Sequence, residues 1–389
     1  MKKQKPIILS ACCILTVLFL YNHIQAGKEI ITSETSADSI ENENIEFPTE
    51  YKKDVSSTLC FDADVVVPKD VDVNNIYWGT ATSAPLDSKK INTYLFGNST
   101  DVMREKNTKE NPAVNRQGEE IDWEIAEDEN GRYMLLEENS YLSFSDDPEY
   151  TYIENCIWSD KRGGSDNLDV YSTTDNLDFM ERTQAKENIK QAFLEMGIDT
   201  EHTQCTSYAM DLETMKTQEN ILMQENAMET SDKNPKWDKL QEGYYFFMRQ
   251  TFQGLPVYAI TDVNRGIWDN PADSPLQIFY NSQGVAGISI LNYFKMEKSE
   301  EKMQLASFDK IVDTIEEKYE DIINANKLTV KRMELVEFPV YKKDGIYQMQ
   351  PIWMCYLQVT DENGNNPETL YIQMPVYADT AKEAMEIET

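Results

Sequence analysis

The sequence predicts an α+β fold in which helices pack on antiparallel sheets. Two observations support this prediction: residues 307–376 contain one helical pattern followed by three strand-like runs, and residues 181–296 contain a helix followed by several strands. A helix that covers one face of an antiparallel sheet buries the apolar surfaces of both elements. We therefore expect two structurally related α+β units, preceded by an N-terminal α+β domain.

The later unit has the clearest helix in the chain. Ser307 stands where an N-cap hydroxyl is useful. The apolar residues that follow recur at three- and four-residue steps, so they share one helical face. These residues are Phe308, Ile311, Val312, Ile315, Tyr319, Ile322 and Ile323.

Turn residues separate the strand-like runs of this later unit. Asp344-Gly345 and Asp361–Gly364 tolerate the positive φ of tight turns, so each of these sequences marks a hairpin. The runs themselves are rich in Val, Ile, Tyr and Trp, and they are Leu328–Phe338, Gln348–Val359 and Leu370–Val376.

The first 26 residues have the pattern of an export signal. Three lysines precede the uncharged run Pro6–Tyr21, and Ala26 offers a small residue at a cleavage position. Three outcomes follow from this pattern: cleavage after Ala26, retention as an N-terminal anchor, or lipidation of Cys12 within Leu9-Ser10-Ala11-Cys12. We therefore expect an exported protein that is either tethered at the cell surface or secreted.

The net charge of −33, from 36 basic and 69 acidic residues, restricts the partners. So strong a negative field argues against nucleic acid and against direct adhesion to anionic lipid surfaces. The acids are scattered along the chain, which is typical of a solvated surface. Cationic partners or divalent ions are the functional alternative.

Changes in composition predict the domain organisation. Gly27–Ser57 is rich in Ser, Thr and Glu, as in a solvated tether, and Ser159–Asn176 is polar with two adjacent glycines. The predicted segments are 1–26 signal peptide or membrane anchor, 27–57 disordered acidic tether, 58–158 N-terminal α+β domain, 159–180 linker, 181–296 first unit and 297–389 second unit.

Local patterns place further elements along the chain. The predicted helices are Ser88–Phe96 and Ala185–Met196, the second ended by Gly197. Asp128–Gly131 predicts a hairpin turn. The predicted strands include Leu59–Pro68, Asn75–Thr80, Tyr150–Trp158, Thr206–Leu212, Tyr244–Phe252 and Leu276–Tyr280, whereas Gln218–Trp237 is assigned to a polar connection.

Four cysteines follow the signal segment: Cys60, Cys156, Cys205 and Cys355. Export permits disulfide pairing, and four cysteines can pair in three ways. Cys60 and Cys355 each lie within an apolar run, so buried free thiols explain these two equally well. The chain has no Cys-x-x-Cys sequence, which argues against a zinc or thiol-redox site.

Motifs for catalysis or cofactor binding are absent from the sequence. His202 is the one histidine after the signal segment, and a polar turn is a poor place for a catalytic base. No phosphate loop and no dinucleotide fingerprint occurs. We expect no catalytic residue, no metal and no cofactor. Among the tryptophans, Trp353 is predicted to lie in the core, and Trp268 is a candidate exposed contact.

Short motifs resemble a known family. Phe252–Val257 (FQGLPV) resembles the strand–turn–strand signature of PepSY-like domains, and the later unit is similar through Leu335–Val340 and Pro351–Trp353. Phe61–Pro68 resembles the opening of a family of uncharacterised Gram-positive surface lipoproteins. The resemblance implies two PepSY-like units in an extracytoplasmic protein that binds or restrains another protein, with no catalytic residues.

These observations predict a non-enzymatic, exported binding or regulatory protein that acts by protein–protein recognition at the cell surface. Exposed edge strands can accept a strand from a partner through main-chain hydrogen bonds alone. The expected partner is another protein, with a membrane protein as one candidate. Two alternatives stay open: a secreted glycan-binding module and a glycan hydrolase that uses two carboxylates.

Overall fold

Strands dominate the computed structural model: 46% of the described residues lie in strands and 24% in helices, and the strands form two large, mostly antiparallel sheets. The predicted α+β class, with helices packed on antiparallel sheets in two PepSY-like units after an N-terminal α+β domain, is therefore wrong. Local periodicity identifies a strand but not its partner, and the partners here lie far apart in the sequence. The described residues are 45–97, 102–106, 113–114, 120–137, 141–146, 149–157, 167–258, 274–319, 327–360 and 370–384.

Sheet 1 combines strands from both ends of the described chain. Its order is β1-β2-β16-β17-β3-β15, with β18 along the second half of β17, and β2 runs parallel to β16 while the other neighbours are antiparallel. The bounds are β1 Glu50–Asp54, β2 Leu59–Val66, β3 Tyr77–Ser83, β15 Phe294–Lys302, β16 Lys327–Lys343, β17 Ile346–Thr360 and β18 Leu370–Tyr377. β1 lies within residues 27–57, the range predicted as a tether.

The β16–β17 hairpin confirms the turn predicted at Asp344-Gly345. Both turn residues have positive φ, 53° and 71°, and Lys343 pairs with Ile346. The two strands bury their apolar residues on both faces of the sheet. One face packs against helix α5 (Phe308–Tyr319), and Trp353 is fully buried there, as predicted.

Sheet 2 has nine strands. Its order is β10-β11-β13-β14-β9-β8-β7-β4, and β12 pairs with the end of β11, while β5 and β6 form a separate pair. The bounds are β4 Met103–Lys106, β5 Ala113–Val114, β6 Glu120–Ile121, β7 Trp123–Glu127, β8 Arg132–Glu137, β9 Tyr141–Asp146, β10 Thr203–Met210, β11 Gly243–Phe252, β12 Leu255–Pro256, β13 Leu276–Asn281 and β14 Gly284–Ile290.

Helices cover both faces of sheet 2. Alternation along β11 sends Tyr244, Phe246 and Met248 to one face and Tyr245 and Phe247 to the other. The first face packs against helices α1 and α3, and the second against α2 and α4. The bounds are α1 Ser88–Phe96, α2 Glu149–Ile157, α3 Arg182–Glu195 and α4 Leu212–Gln224.

Two of these helices confirm the sequence predictions and two contradict them. Helix α1 begins after Asp87, which caps it by accepting a hydrogen bond from the Lys90 amide, and α3 is followed by Gly197 at φ 82°. Residues 150–157, predicted as a strand, instead form most of α2, and the predicted polar connection contains much of α4.

Polar side chains join the two sheets. Gln253, in the β11–β12 turn, accepts a hydrogen bond from the Tyr77 amide at 3.1 Å and donates to the Tyr77 carbonyl. The Phe252 ring lies where a Cβ on Gly79 would stand, so glycine is required for this close approach. The tip of sheet 2 is thereby held against β3 of sheet 1. No described helix is long and apolar enough to cross a membrane.

Candidate functional site

The two site residues singled out in the sequence, Cys12 and Trp268, lie outside the described residues. His202 lies in the turn before β10, where its main-chain carbonyl accepts a hydrogen bond from the Thr251 amide at 2.8 Å. Its ring has no hydrogen-bond partner among the described residues, so the arrangement of a base held by an orienting group is not formed there.

The four cysteines after residue 26 are free thiols. Cys60, Cys156 and Cys355 are buried, and Cys205 is half-buried. Burial raises the pKa of Cys156 and of Cys355 well above the usual thiol range, which makes both thiols unreactive. In the described part of the chain, no group of three or more His, Cys, Asp or Glu side chains is placed to hold a metal ion.

The buried carboxyl groups of β16 do not form a facing pair. Glu334 and Glu337 are three residues apart with no register shift between them, so they point to opposite faces of sheet 1. Glu334 lies 3.6 Å from Arg249 and 3.5 Å from Arg332. Glu337 is 0% exposed, and neither of its carboxyl oxygens has a hydrogen-bond partner among the described residues. Burial raises the pKa of Glu337 well above its usual range.

Outer strands are the next candidates, because their unpaired main-chain groups can bind an added strand. The outer strands of the two sheets include β1, β15, β4, β10 and β18, the last of which pairs with β17 alone among the described strands. Three of them carry charged residues, which protect an edge against pairing; their sequences are EYKKD, FKMEKSEEK and MREK. The other two, β10 (TQCTSYAM) and β18 (LYIQMPVY), are uncharged. The outer side of β18 is partly occupied, because Tyr377 and Pro375 form main-chain hydrogen bonds with Lys382 and Ala384.

The main chain of β10 is open over its first half. The Ala209 amide donates to the Ser172 carbonyl, on the side away from β11, and the Ser207 carbonyl accepts from Arg182 at 2.8 Å. Because these directions alternate along an antiparallel strand, the main-chain groups of Thr203 and Cys205 also point away from β11. They have no hydrogen-bond partner among the described residues.

Helix α3 places two lysines beside this open stretch. Cys205 packs against the face of sheet 2 that α3 covers, and burial raises the pKa of its thiol. Arg182, at the start of α3, donates to the Ser207 carbonyl, and Lys186 and Lys190 follow Arg182 at four-residue steps, so they lie on the side of α3 that faces the outer side of β10. On the other face of the strand, Gln204 and Thr206 are exposed and uncharged. We call Thr203–Ser207, with Lys186 and Lys190, the β10 edge.

The sequence predicts a strand at Thr206–Leu212, which overlaps the β10 edge only at Thr206 and Ser207, and it gives no sign that this is an outer strand. Which strand lies at the end of a sheet depends on pairings between distant residues. The one usable signal is composition, because an uncharged strand of small polar residues suits neither a buried centre nor a protected edge.

Comparison with known proteins shows a shared fold but no family. No family model matches the chain, and no curated protein matches it. Among solved structures, the chain is similar to an uncharacterised protein from Eubacterium rectale, with 14% identity and a TM-score of 0.59. The match covers 87% of this chain and 94% of the other. The two proteins therefore share this arrangement of sheets across almost their whole length.

Proposed function

We propose that the chain is an exported, non-enzymatic binding or regulatory protein that recognises another protein at the cell surface. The open, uncharged edge of β10 is the single observation that carries this proposal. A partner segment would add a strand beside β10 and extend sheet 2 by one strand. The export signal is consistent with this setting, and the net charge of −33 argues against nucleic acid as the partner.

Strand addition takes its affinity from main-chain hydrogen bonds, and pockets for alternate side chains give its specificity. The amides of Thr203, Cys205 and Ser207 and the carbonyls of Thr203 and Cys205 are available for such bonds. Each bond contributes about 0.5–1.5 kcal/mol net. Binding through this stretch alone would be weak to moderate, as is suitable for a reversible regulatory contact.

The rigid support of β10 favours the same conclusion. β10 pairs with β11 along its whole length, from Thr203 with Gln250 to Met210 with Gly243. β11 is itself an inner strand, paired with β10 and β13, and carries buried aromatic residues on both faces. A strand held this firmly presents its outer main-chain groups in a fixed geometry, which lowers the entropic cost of binding.

The test is a comparison of two proline variants of the full chain as baits for cell-surface membrane extract. Cys205→Pro removes an outward amide from the β10 edge and places a ring where a partner strand would lie. Lys298→Pro makes the same change on the charged outer strand β15, where alternation from Phe294 also turns residue 298 outward.

We expect one protein to be recovered in stoichiometric amount by the native chain and by Lys298→Pro, and to be lost with Cys205→Pro. Hydrogen–deuterium exchange should then show protection of residues 203–207 in the complex. Equal recovery by all three baits would overturn the proposal. So would retention of all three on cell-wall glycan with no recovered protein.

A further inference from the structure

The chemistry around the β10 edge also indicates what kind of segment it accepts. A strand added beside β10 would point alternate side chains toward the two faces of sheet 2. The side chains next to Cys205 and Ser207 on the α3 side would lie under helix α3. Those on the opposite side would lie beside Gln204 and Thr206, which are exposed and uncharged. The two faces of the added strand therefore meet different surroundings.

The α3 side is positively charged. Lys186 and Lys190 lie four and eight residues after Arg182 on α3, so they share the side of the helix from which Arg182 reaches the Ser207 carbonyl of β10. Lys190 pairs with Glu187 at 3.1 Å, whereas Lys186 has no ion-pair partner among the described residues. The chain has a net charge of −33, so a lysine beside an open strand edge, with no ion-pair partner among the described residues, makes this site locally positive on an acidic protein.

Acidic residues limit where the complementary charge can lie. Asp199 and Glu201 are exposed in the turn that precedes β10. A carboxylate of the partner near Thr203 would approach these like charges, whereas one near Cys205 or Ser207 would approach the lysines. Electrostatic complementarity of this kind sets the register and increases the association rate.

We propose that the β10 edge binds an extended acidic segment of another protein, with carboxylate side chains on the face that lies under Lys186 and Lys190. This inference rests on the proposed function, since it assumes strand addition at β10. It adds the charge of the partner segment and the face that carries the charge.

The test uses three synthetic peptides of one length that differ only at alternate positions: Thr-Glu-Val-Glu-Val-Glu-Thr and the same sequence with Gln or with Lys in place of Glu. Binding of each labelled peptide to the full chain is measured by fluorescence anisotropy at low salt. Two exposed ion pairs of up to about 1 kcal/mol each give a preference for the Glu peptide over the Gln peptide on the order of ten-fold. The Lys peptide should bind most weakly.

Two double variants show whether the lysines of α3 produce this preference. Lys186→Gln with Lys190→Gln should abolish the difference between the Glu and Gln peptides. Lys216→Gln with Lys233→Gln removes the same charge from lysines that do not lie on α3, and Lys216 pairs with Glu213 as Lys190 does with Glu187. This control should keep the preference.

The outcomes separate the inference from the proposed function. Equal binding of the Glu and Gln peptides, lost with Cys205→Pro, would overturn the acidic partner and leave strand addition standing. Failure of every peptide to bind, or binding that Cys205→Pro does not change, would overturn both. Dimerisation of the chain in sedimentation, abolished by Cys205→Pro, would identify a second copy as the occupant and overturn the acidic partner.

Discussion

The outer strands β10 and β15 expose the same kind of main-chain groups but differ in how these groups are used. In β15, the outward amide of Phe294 donates to the Gln250 side chain at 2.9 Å, and the Phe294 carbonyl accepts from that side chain at 2.8 Å. The remainder of β15 is highly charged. In β10, the corresponding groups of Thr203 and Cys205 have no described partner, and the strand is uncharged.

The difference shows that the fold occupies outward main-chain groups of β15 and leaves those of Thr203 and Cys205 in β10 free to bind an added strand. A buried edge must satisfy its main-chain groups, because each unpaired group costs about 1–3 kcal/mol. An edge in water carries no such cost, since solvent satisfies the same groups. An open edge in water therefore costs little stability, and an uncharged open edge can bind an added strand.

The largest loss of stability is expected from Gln250→Leu, which removes the side chain that binds the outward main-chain groups of β15. This change leaves the amide and carbonyl of Phe294 unpaired at a position where both residues are buried. We expect the free energy of unfolding to fall by about 2–5 kcal/mol, measured by urea denaturation.

Gln204→Leu is the matched control for this change, because Gln204 is an exposed residue of β10. It should alter the free energy of unfolding by less than about 0.5 kcal/mol. Similar losses of stability in the two variants would show that the hydrogen bonds from the Gln250 side chain to the Phe294 main chain do not stabilise the fold.

A second prediction concerns the inward groups of β10. The carbonyl of His202 accepts from Thr251, so by alternation Thr206 directs its main-chain groups toward β11. Thr206→Pro removes that amide and leaves a β11 carbonyl unpaired, which should cost about 2–3 kcal/mol. Thermal and urea unfolding measure the loss, and an unchanged midpoint would contradict the assigned direction of the strand.

Glu337 differs from the edge groups because its carboxyl group lies in the core of sheet 1 and has no hydrogen-bond partner in the described part of the chain. Its raised pKa means that the folded chain keeps the proton while the unfolded chain, with a pKa of about 4.3, releases it. The contribution of Glu337 to the free energy of unfolding is therefore largest below about pH 4.3. It falls by about 1.4 kcal/mol for each pH unit above that value, until the pH reaches the pKa of Glu337 in the folded chain.

Glu337→Gln removes this dependence. We expect the stability of the variant relative to the native chain to increase from pH 5 to pH 7, as measured by urea denaturation at each pH. The exposed Glu201→Gln serves as the control, and its difference from the native chain should stay constant. A constant difference for Glu337→Gln as well would show that the carboxyl ionises in the folded state.

The sequence predicts local structure well where the periodicity is clean, and fails where polar residues are buried. The β16–β17 hairpin and α1 follow from turn residues and apolar spacing. Helix α4 was missed because its inner face includes Glu219, which accepts hydrogen bonds from the Asn234 amide and from the Trp237 indole. A polar residue on the buried side hides the amphipathic pattern that identifies a helix.

Helix α2 was missed for a different reason. Tyr150 and Ile153 share one side of the helix, but residues of these types are also typical of strands. The candidate site has no direct signal in the sequence. The predicted strand Thr206–Leu212 overlaps β10 only from Thr206 onward, and the position of β10 at the end of sheet 2 depends on its pairing with β11, more than 30 residues later. Long-range pairing of this kind is not encoded in any local pattern.

The smallest loss of stability is expected from Cys205→Pro, which tests whether the outward main chain of β10 is open or paired. Cys205→Pro removes an amide that points to solvent, and proline is tolerated on an edge strand in that orientation. We expect a loss below about 1 kcal/mol, most of it from the fixed φ of proline and the missing thiol. Cys205→Ala measures the contribution of the side chain alone. If Cys205→Pro costs as much as Thr206→Pro, the Cys205 amide is paired within the fold, and β10 has no open main chain to offer a partner.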